Sequence, residues 1–482
     1  MESLKQSAAA GARWTGLSAL ISAGLQAVQL LVLARLLGPE EFGLMAMAMV
    51  VVAFMQTIVD LGISSALVWR QDASDEQLCS LYVFGIGLGA AGFIIALLAT
   101  PLGVWFFHEQ ALAKILPWCA TTFLIGPAGQ QFAALLQKNL RFREIAIMEI
   151  ASQAVGLVVA VLLAWRGAGV MALVWSLLAS AAARTVLLVK MGLPLWRPRW
   201  HFRPADLRGF IRFGAYQTGS GILNFALMRM DQILLGRLLG KVALGQYNFA
   251  YNLIMQPLTR INPILTRVAF PVFARLQDDE EKLRKGFLFM CRLLLTINVP
   301  LALGIAVIMP DTIGVIFQSR WAASVPIVQA LAIVAILRSA GNPVGSLLLA
   351  KGRADTEFRW NIFVIVCQLA ALWTGASLGG AVGAALGLVA CQIIFQPVMY
   401  GWLIRPLIRP GAWHYFKTLA LPVAPALAMV AILICLPHRI AGLNGAGKLT
   451  LEIAAGVLIY AGLLLTFQRR FVAEAVEIIR RH

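Results

Sequence analysis

A chain of 482 residues could hold two to four soluble domains, but 60% of this one is hydrophobic and only 13% charged. Its mean hydropathy is +0.81, a composition from which no soluble surface can be built. The net charge of +18 raises the question of nucleic acid, yet the basic residues lie in short loops between apolar runs, with no basic domain standing apart. That distribution points to lipid headgroups instead.

The six cysteines fall singly in apolar segments, without a CxxC pair, and the five histidines are dispersed. No zinc site, disulfide framework or metal centre is indicated.

In chain order, the first apolar run, from Trp14 to Leu37, is too long for a signal-peptide core and lacks a small-residue cleavage site. It reads as a retained first span, with residues 3 to 14 as an amphipathic lead-in. Apolar runs then recur about fourteen times, each long enough to cross a hydrocarbon core of about 30 Å as a helix. Their centres lie near Gln26, Phe54, Ala90, Gly126, Val155 and Leu178, then, beyond the basic connector from Lys190 to Arg212, near Asn224, Gln256, Asn298, Ile336, Ile365 and Val389. Two more follow near Pro425 and Gly456. The expectation is an all-α polytopic membrane protein with two pseudo-symmetric six-helix lobes (1–200 and 201–404) and a third segment, 405–482, holding two additional helices and a tail.

Loops on one side carry about 26 Lys and Arg, the other side about 8. This asymmetry predicts cytoplasmic termini. No connection exceeds about twenty residues, too few for a catalytic domain.

The turn after the first span reads LARLLGPEEFG from Leu33; about 202 residues later the turn after the seventh reads LGRLLGKVALG from Leu235. The offset spans one full set of six helices, which predicts a parallel repeat about an axis along the membrane normal. Gly38 and Gly240 suit helix C-terminal caps. Arg35 and Arg237 either cap and reach headgroups or take a further role.

Arg184, Arg229, Arg260, Arg267, Arg292 and Arg338 remain inside spans, with Asp60, Glu149 and Asp231. Six lipid-facing arginines could cost about 15–20 kcal/mol. They must therefore face a wet cavity, find partners or reach an interface. Arg260 and Arg267 are seven residues apart on one face, with Gln256 a turn earlier and Pro257 and Pro263 bending the helix. Arg267 snorkels or lines the cavity; Arg292, near an edge, snorkels. Arg229 and Asp231 point to different sides of their helix, and Asp60 is a candidate partner for Arg229. Arg338 and Asn342, at i and i+4 beside Pro343, form another polar break. Arginine outnumbers carboxylate, so the cavity should attract anions, phosphate or pyrophosphate above all. Asp60 and Asp231 either balance charge or carry a coupling H+ or Na+.

Several strings carry a resemblance to a known family: GARWTGLSALI at Gly11, VLARLLGPEEFGL at Val32, DLGISSALV at Asp60 and GPAGQQFAALLQKNLRF at Gly126. It continues in YNFAYNLIMQP at Tyr247, INPILTRVAFPVFARLQDD at Ile261 and LRSAGNPVGSLLLAKGRAD at Leu337. Along nearly its whole length the chain resembles the Wzx-type polysaccharide flippases of the multidrug/oligosaccharidyl-lipid/polysaccharide exporter superfamily, in the branch serving colanic acid and similar exopolysaccharides.

The resemblance implies a V-shaped pair of six-helix bundles with two helices packed outside. It also implies movement of an undecaprenyl-pyrophosphate-linked oligosaccharide from the inner to the outer leaflet of the bacterial inner membrane by alternating access, in exopolysaccharide or lipopolysaccharide biosynthesis. A polysaccharide polymerase and export machinery would be partners, and no cofactor or enzymatic step is implied. On this reading the pyrophosphate lies near Arg229, Arg260 and Arg338, with Arg267 and Arg184 adding charge and Gln256 and Asn342 polar support. Two other functions compete: an ion-coupled drug or small-molecule pump, whose cavity should favour carboxylates and aromatics, and a membrane polysaccharide polymerase, which should need an external catalytic loop.

Overall fold

The computed structural model describes residues 2–60, 67, 73–208, 210–435 and 445–480, and is helical throughout, with no strand among them. The DLGISSALV segment therefore lies mostly outside the described residues. The helices are α1 (Glu2–Leu36), α2 (Pro39–Val59), α3 (Asp75–Phe107), the broken set α4 (Leu112–Ala120), α5 (Thr122–Ile125) and α6 (Pro127–Lys138), α7 (Phe142–Trp165) and α8 (Val170–Gly192). After them come α9 (Phe210–Arg275), α10 (Glu280–Val315), α11 (Ser324–Ala350), α12 (Ala354–Met399), α13 (Arg405–Ile408), α14 (Ala412–Cys435), α15 (Gly445–Phe467) and α16 (Arg469–Arg480).

Among the described residues, ten helices are long and apolar enough to span a membrane. α12 is one of these ten and covers two of the expected fourteen runs; α9 is not among the ten, and its two arms cover two more. α9 turns at Gly240, into arms 210–239 and 241–275; α12 turns at Gly379 and Gly380. The fourth run is the set α4–α6, segmented around Thr121 and Gly126. The lead-in does not separate from the first span: α1 is one continuous helix.

Contacts divide the chain into two compact units, 1–248 and 249–482, so the seventh run packs with the first six, beyond the boundary that the repeat places at 200/201. In the first unit, α7 packs on α8 through small residues. Gly156 sits against Ser176 and Ser180, and the Ser176 hydroxyl donates to the Gly156 carbonyl at 2.8 Å. Such close approach supports helix association where lipid offers no hydrophobic drive. Glu149, a carboxylate inside a span, is satisfied by the Ser18 hydroxyl at 2.7 Å.

The connector after α8 is fixed rather than loose. Trp196 packs on Tyr82 and Phe132, and Asp206 accepts hydrogen bonds from Ser80 (2.6 Å) and His201 (3.1 Å). The Ser80 hydroxyl, aided by His201 and Arg203, holds the Asp206 carboxyl below the usual carboxylate range.

The repeated turn is built differently in its two copies. Neither glycine is the left-handed cap expected: Gly240 (φ +77, ψ −174) takes a glycine-only extended conformation that breaks α9, whereas Gly38 is extended (φ −96, ψ 176) and is the N-cap of α2. Pro39 explains this: the residue before a proline is driven out of helical and into extended conformation. Glu41 then reaches back to the Gly38 amide at 2.9 Å. The two turns also meet. A Cβ on Gly43 would lie 1.7 Å from the Lys241 carbonyl oxygen, and one on Gly245 would lie 1.8 Å from that of Pro39. Since Gly43 and Gly245, like Pro39 and Lys241, are separated by the repeat offset, the crossing is reciprocal.

In the second unit, Leu295 and Val299 of α10, Ala340 of α11, Met429 and Leu433 of α14 and Tyr460 of α15 form one core, so the last two spans pack on this unit. Arg292, expected to reach headgroups or water, finds protein partners at the junction of α15 and α16. Its Nε and Nη2 both donate to Gln468 Oε1 (3.3 and 2.9 Å), and its guanidinium stacks on Phe471 at 4.1 Å, tying α10 to the start of α16. A side chain with these partners within reach gains more by bonding them than by extending to water.

Candidate functional site

α2 and the first arm of α9 run past each other in the first unit. Phe54 meets Phe225 with centroids 5.4 Å apart, and Gly221 lies so near Thr57 that a Cβ would touch its methyl at 3.0 Å. Around this contact a cavity of about 470 Å³ opens. Its walls follow from helical spacing. Ala53, Gln56, Thr57 and Asp60 share one face of α2; Gln217, Gly221, Asn224 and Met228 share one face of α9, flanked by Thr218, Phe225 and Arg229.

The register decides which charges can meet. With Thr57 opposite Gly221 and Phe54 opposite Phe225, the two helices are antiparallel. Asp60 lies about 4.5 Å beyond the contact in one direction and Arg229 about 12 Å in the other, at 1.5 Å per residue. They line the same cavity from opposite ends, roughly 16 Å apart along the axis. The expected Asp60–Arg229 pair is thus not formed among the described residues. Asp60 instead accepts from the Gln130 side-chain amide. Arg229 Nη1 donates to Gln232 Oε1 at 2.9 Å, and Gln232 Nε2 donates to Asn248 at 3.2 Å, which orients the guanidinium while leaving other N–H groups for the cavity.

A second cavity, also about 470 Å³, opens on the other side of α2 toward the α4–α6 set and α8. Arg184 lines it, with Gln130, Gln137 and Ser180, and Gln56 and Asp60 line both cavities. Sequence reasoning had placed Arg184 and Asp60 in membrane spans; the structure brings them to one chamber.

Asp231 is buried. It accepts from the Tyr247 hydroxyl at 3.0 Å and from the Gln232 amide at 2.8 Å, so it binds the two arms of α9 together. That placement suits charge balance and packing and leaves Asp60 as the carboxylate on the cavity wall. In the second unit, Gln256 is exposed and bonds Asn252 at 3.2 Å. Arg260 is half-buried, as is Arg338, while Asn342 is exposed one turn further along α11. Arg267 lies in α9, but its side chain falls outside the described residues.

The amides of this wall were not anticipated. Gln217 and Asn224 carry no charge and so escape a search for buried ions. Their signal was periodic: 217, 221, 224 and 228 place polar and small residues on one stripe of an otherwise apolar run.

Residues 32–326 match the model of a family described as polysaccharide biosynthesis protein. The chain is 34% identical over 430 residues to the lipopolysaccharide biosynthesis protein WzxC of Escherichia coli, covering 89% of this chain and 87% of that one. It is 32% identical to the teichuronic acid biosynthesis protein TuaB of Bacillus subtilis, over 96% of each. Among solved structures, the lipid II flippase MurJ in an inward closed conformation superposes with a TM-score of 0.75 at 13% identity, covering 96% of this chain and 99% of that one. An inward-facing multidrug resistance transporter, described as of the MOP superfamily, gives 0.60 at 15% identity, covering 81% and 94%. These two likenesses concern the fold.

Proposed function

This chain belongs to the polysaccharide biosynthesis protein family, and on that footing we infer that it is a flippase carrying lipid-linked polysaccharide repeat units across the membrane it spans. It is a transporter and not an enzyme. The observation that carries this reading is kinship along 89% of the chain with a lipopolysaccharide biosynthesis protein. A succinoglycan biosynthesis transport protein of Rhizobium meliloti, 26% identical over 97% of the chain, supports it. The membrane is the bacterial inner membrane, both termini are cytoplasmic, and the cargo moves from the cytoplasmic to the periplasmic leaflet on undecaprenyl pyrophosphate. A polysaccharide polymerase and export machinery take it onward.

The chemistry of the first unit suits such a cargo. A pyrophosphate cannot enter hydrocarbon without compensation, since even one buried charge costs several kcal/mol. Arg229, held by Gln232, presents N–H groups in a fork that matches phosphate oxygens. Arg184 supplies a second cation behind α2; the second unit carries a cationic and polar set of its own, Arg260, Arg267 and Arg338 with Gln256 and Asn342. Asp60, shared by both cavities, is the carboxylate placed to take the coupling ion, H+ or Na+. Alternating access then exposes the loaded site to one leaflet and then the other.

The test is Arg229→Gln in cells lacking the wild-type protein, with membrane insertion verified. Polymer export should fall at least tenfold, with lipid-linked repeat units accumulating on the cytoplasmic leaflet. Normal export removes Arg229 from the site, and accumulation on the periplasmic leaflet points to a polymerase.

A further inference from the structure

Three primary amides face the cavity between α2 and the first arm of α9: Gln56, Gln217 and Asn224. Among the described residues none of the three has a side-chain hydrogen-bond partner, and all three are exposed to the cavity. Their donors and acceptors therefore meet water and are available to a ligand that displaces it. Three such amides on one wall, beside Asp60, make a polar surface suited to a hydroxyl-rich ligand.

We propose that these amides, with Asp60, form a sugar-reading end of the cavity, separate from the anion-binding end at Arg229. The proposal rests on the flippase reading above and adds which residues distinguish one glycan from another. Its chemistry is that of a hydroxyl-rich ring. Each sugar hydroxyl both donates and accepts, and a primary amide offers two donors and a two-lone-pair acceptor in one plane. Asp60, when ionised, adds an acceptor-only group, to which a hydroxyl must donate. Phe225, on the same wall and tilted 50° against Phe54, supplies an apolar surface for the ring C–H groups.

The register gives the site its polarity. From Gln217 to Arg229 the arm rises about 18 Å. Gln217 lies near Asp60 at one end, with Asn224 between and Arg229 at the other. The cavity, at about 470 Å³, lies within the ~300–1,000 Å³ range of small-molecule sites. A lipid-linked glycan with its pyrophosphate on Arg229 would lay its first sugars along the amides toward Asp60. Specificity follows from the cost of mismatch: a glycan missing a hydroxyl leaves a cavity amide unpaired, which discriminates far more strongly than a lost apolar contact.

The experiment uses the purified full-length chain in lipid nanodiscs and two probes, undecaprenyl pyrophosphate and the lipid-linked repeat units extracted from the host cell. Wild-type protein should bind the glycosylated probe more tightly. Gln217→Leu and Gln56→Leu, similar in size to the residues they replace and facing open space, should each weaken binding of the glycosylated probe about five- to tenfold. Both should leave binding of the bare pyrophosphate unchanged. Gln217→Asn, which keeps the amide, should recover part of the loss and controls for folding. Arg229→Gln should weaken both probes together. Equal affinity of the wild type for the two probes, or equal losses of both in the glutamine variants, overturns the sugar-reading end while leaving the flippase reading intact. Failure of the wild type to bind either probe overturns both.

Discussion

The reciprocal glycine crossing makes a quantitative test of the packing. A methyl placed on Gly43 would sit 1.7 Å from the Lys241 carbonyl oxygen, where ordinary contact begins at 3.4 Å. α2 and the second arm of α9 must therefore separate by more than 1 Å locally, or their backbones must bend. In an open helix, Gly→Ala stabilises by about 0.8–1 kcal/mol through propensity. Here overpacking against backbone, which has no rotamer to yield, should cost about 3 kcal/mol or more. A net loss of about 2 kcal/mol is expected for Gly43→Ala, and the same for Gly245→Ala, whose methyl would lie 1.8 Å from the Pro39 oxygen. The double variant carries the sharper prediction. Separation forced by one methyl makes room for the other, so the two losses should add to less than their sum, by about 0.5–3 kcal/mol of coupling. Apparent Tm of the four proteins in one detergent, at one scan rate, measures this. A rise in Tm for either single variant, or strict additivity in the double, would refute the crossing.

Three further outcomes follow from the geometry. The Asp206 carboxyl is held below its ordinary value, so its anchoring of the connector is complete above the unfolded pKa of about 3.9 and is lost as pH falls through the lower folded one. Quencher access to Trp196 should thus stay low at pH 4 and rise below it, whereas Asp206→Ala should raise access at every pH; a rise already at pH 5 to 6 contradicts this. Arg292→Ala removes both hydrogen bonds to Gln468 and the stack on Phe471, so protease should clip α16 several-fold faster, and an unchanged rate would show that the helix is held elsewhere. Asp60→Asn keeps the shape of the wall but loses the charge; transport driven by an imposed H+ or Na+ gradient should fall about tenfold or more, and undiminished gradient-driven transport excludes Asp60 as the coupling group.

Much of the architecture was legible in the sequence because it depends on averages. Apolar length marks the spans, and the repeated LxRLLG string marked two turns that prove to touch. Both are properties of segments, insensitive to a residue or two of error. Charge placement was harder. Arg292 was read as reaching an interface, yet its partners, Gln468 and Phe471, lie far along the chain. Asp60 and Arg229 were read as partners because both are charged and intramembrane; the antiparallel register sets them at opposite ends of one cavity. Gln217 and Asn224 went unremarked because neutral residues give no alarm in a hydropathy profile.

The sequence by itself determined that the chain spans a membrane many times as helices and bears more intramembrane arginine than carboxylate. Those facts follow from the solvent, since hydrocarbon accepts only helices with satisfied backbones and penalises every unmatched charge wherever the helix is placed. Which polar groups share a cavity, and which turn into packing as Asp231 does, was decided by tertiary structure. A side chain's partner depends on the sliding register and rotation of two helices past each other, and that register is set by small contacts, Gly221 on Thr57 and Phe54 on Phe225, that no single helix encodes.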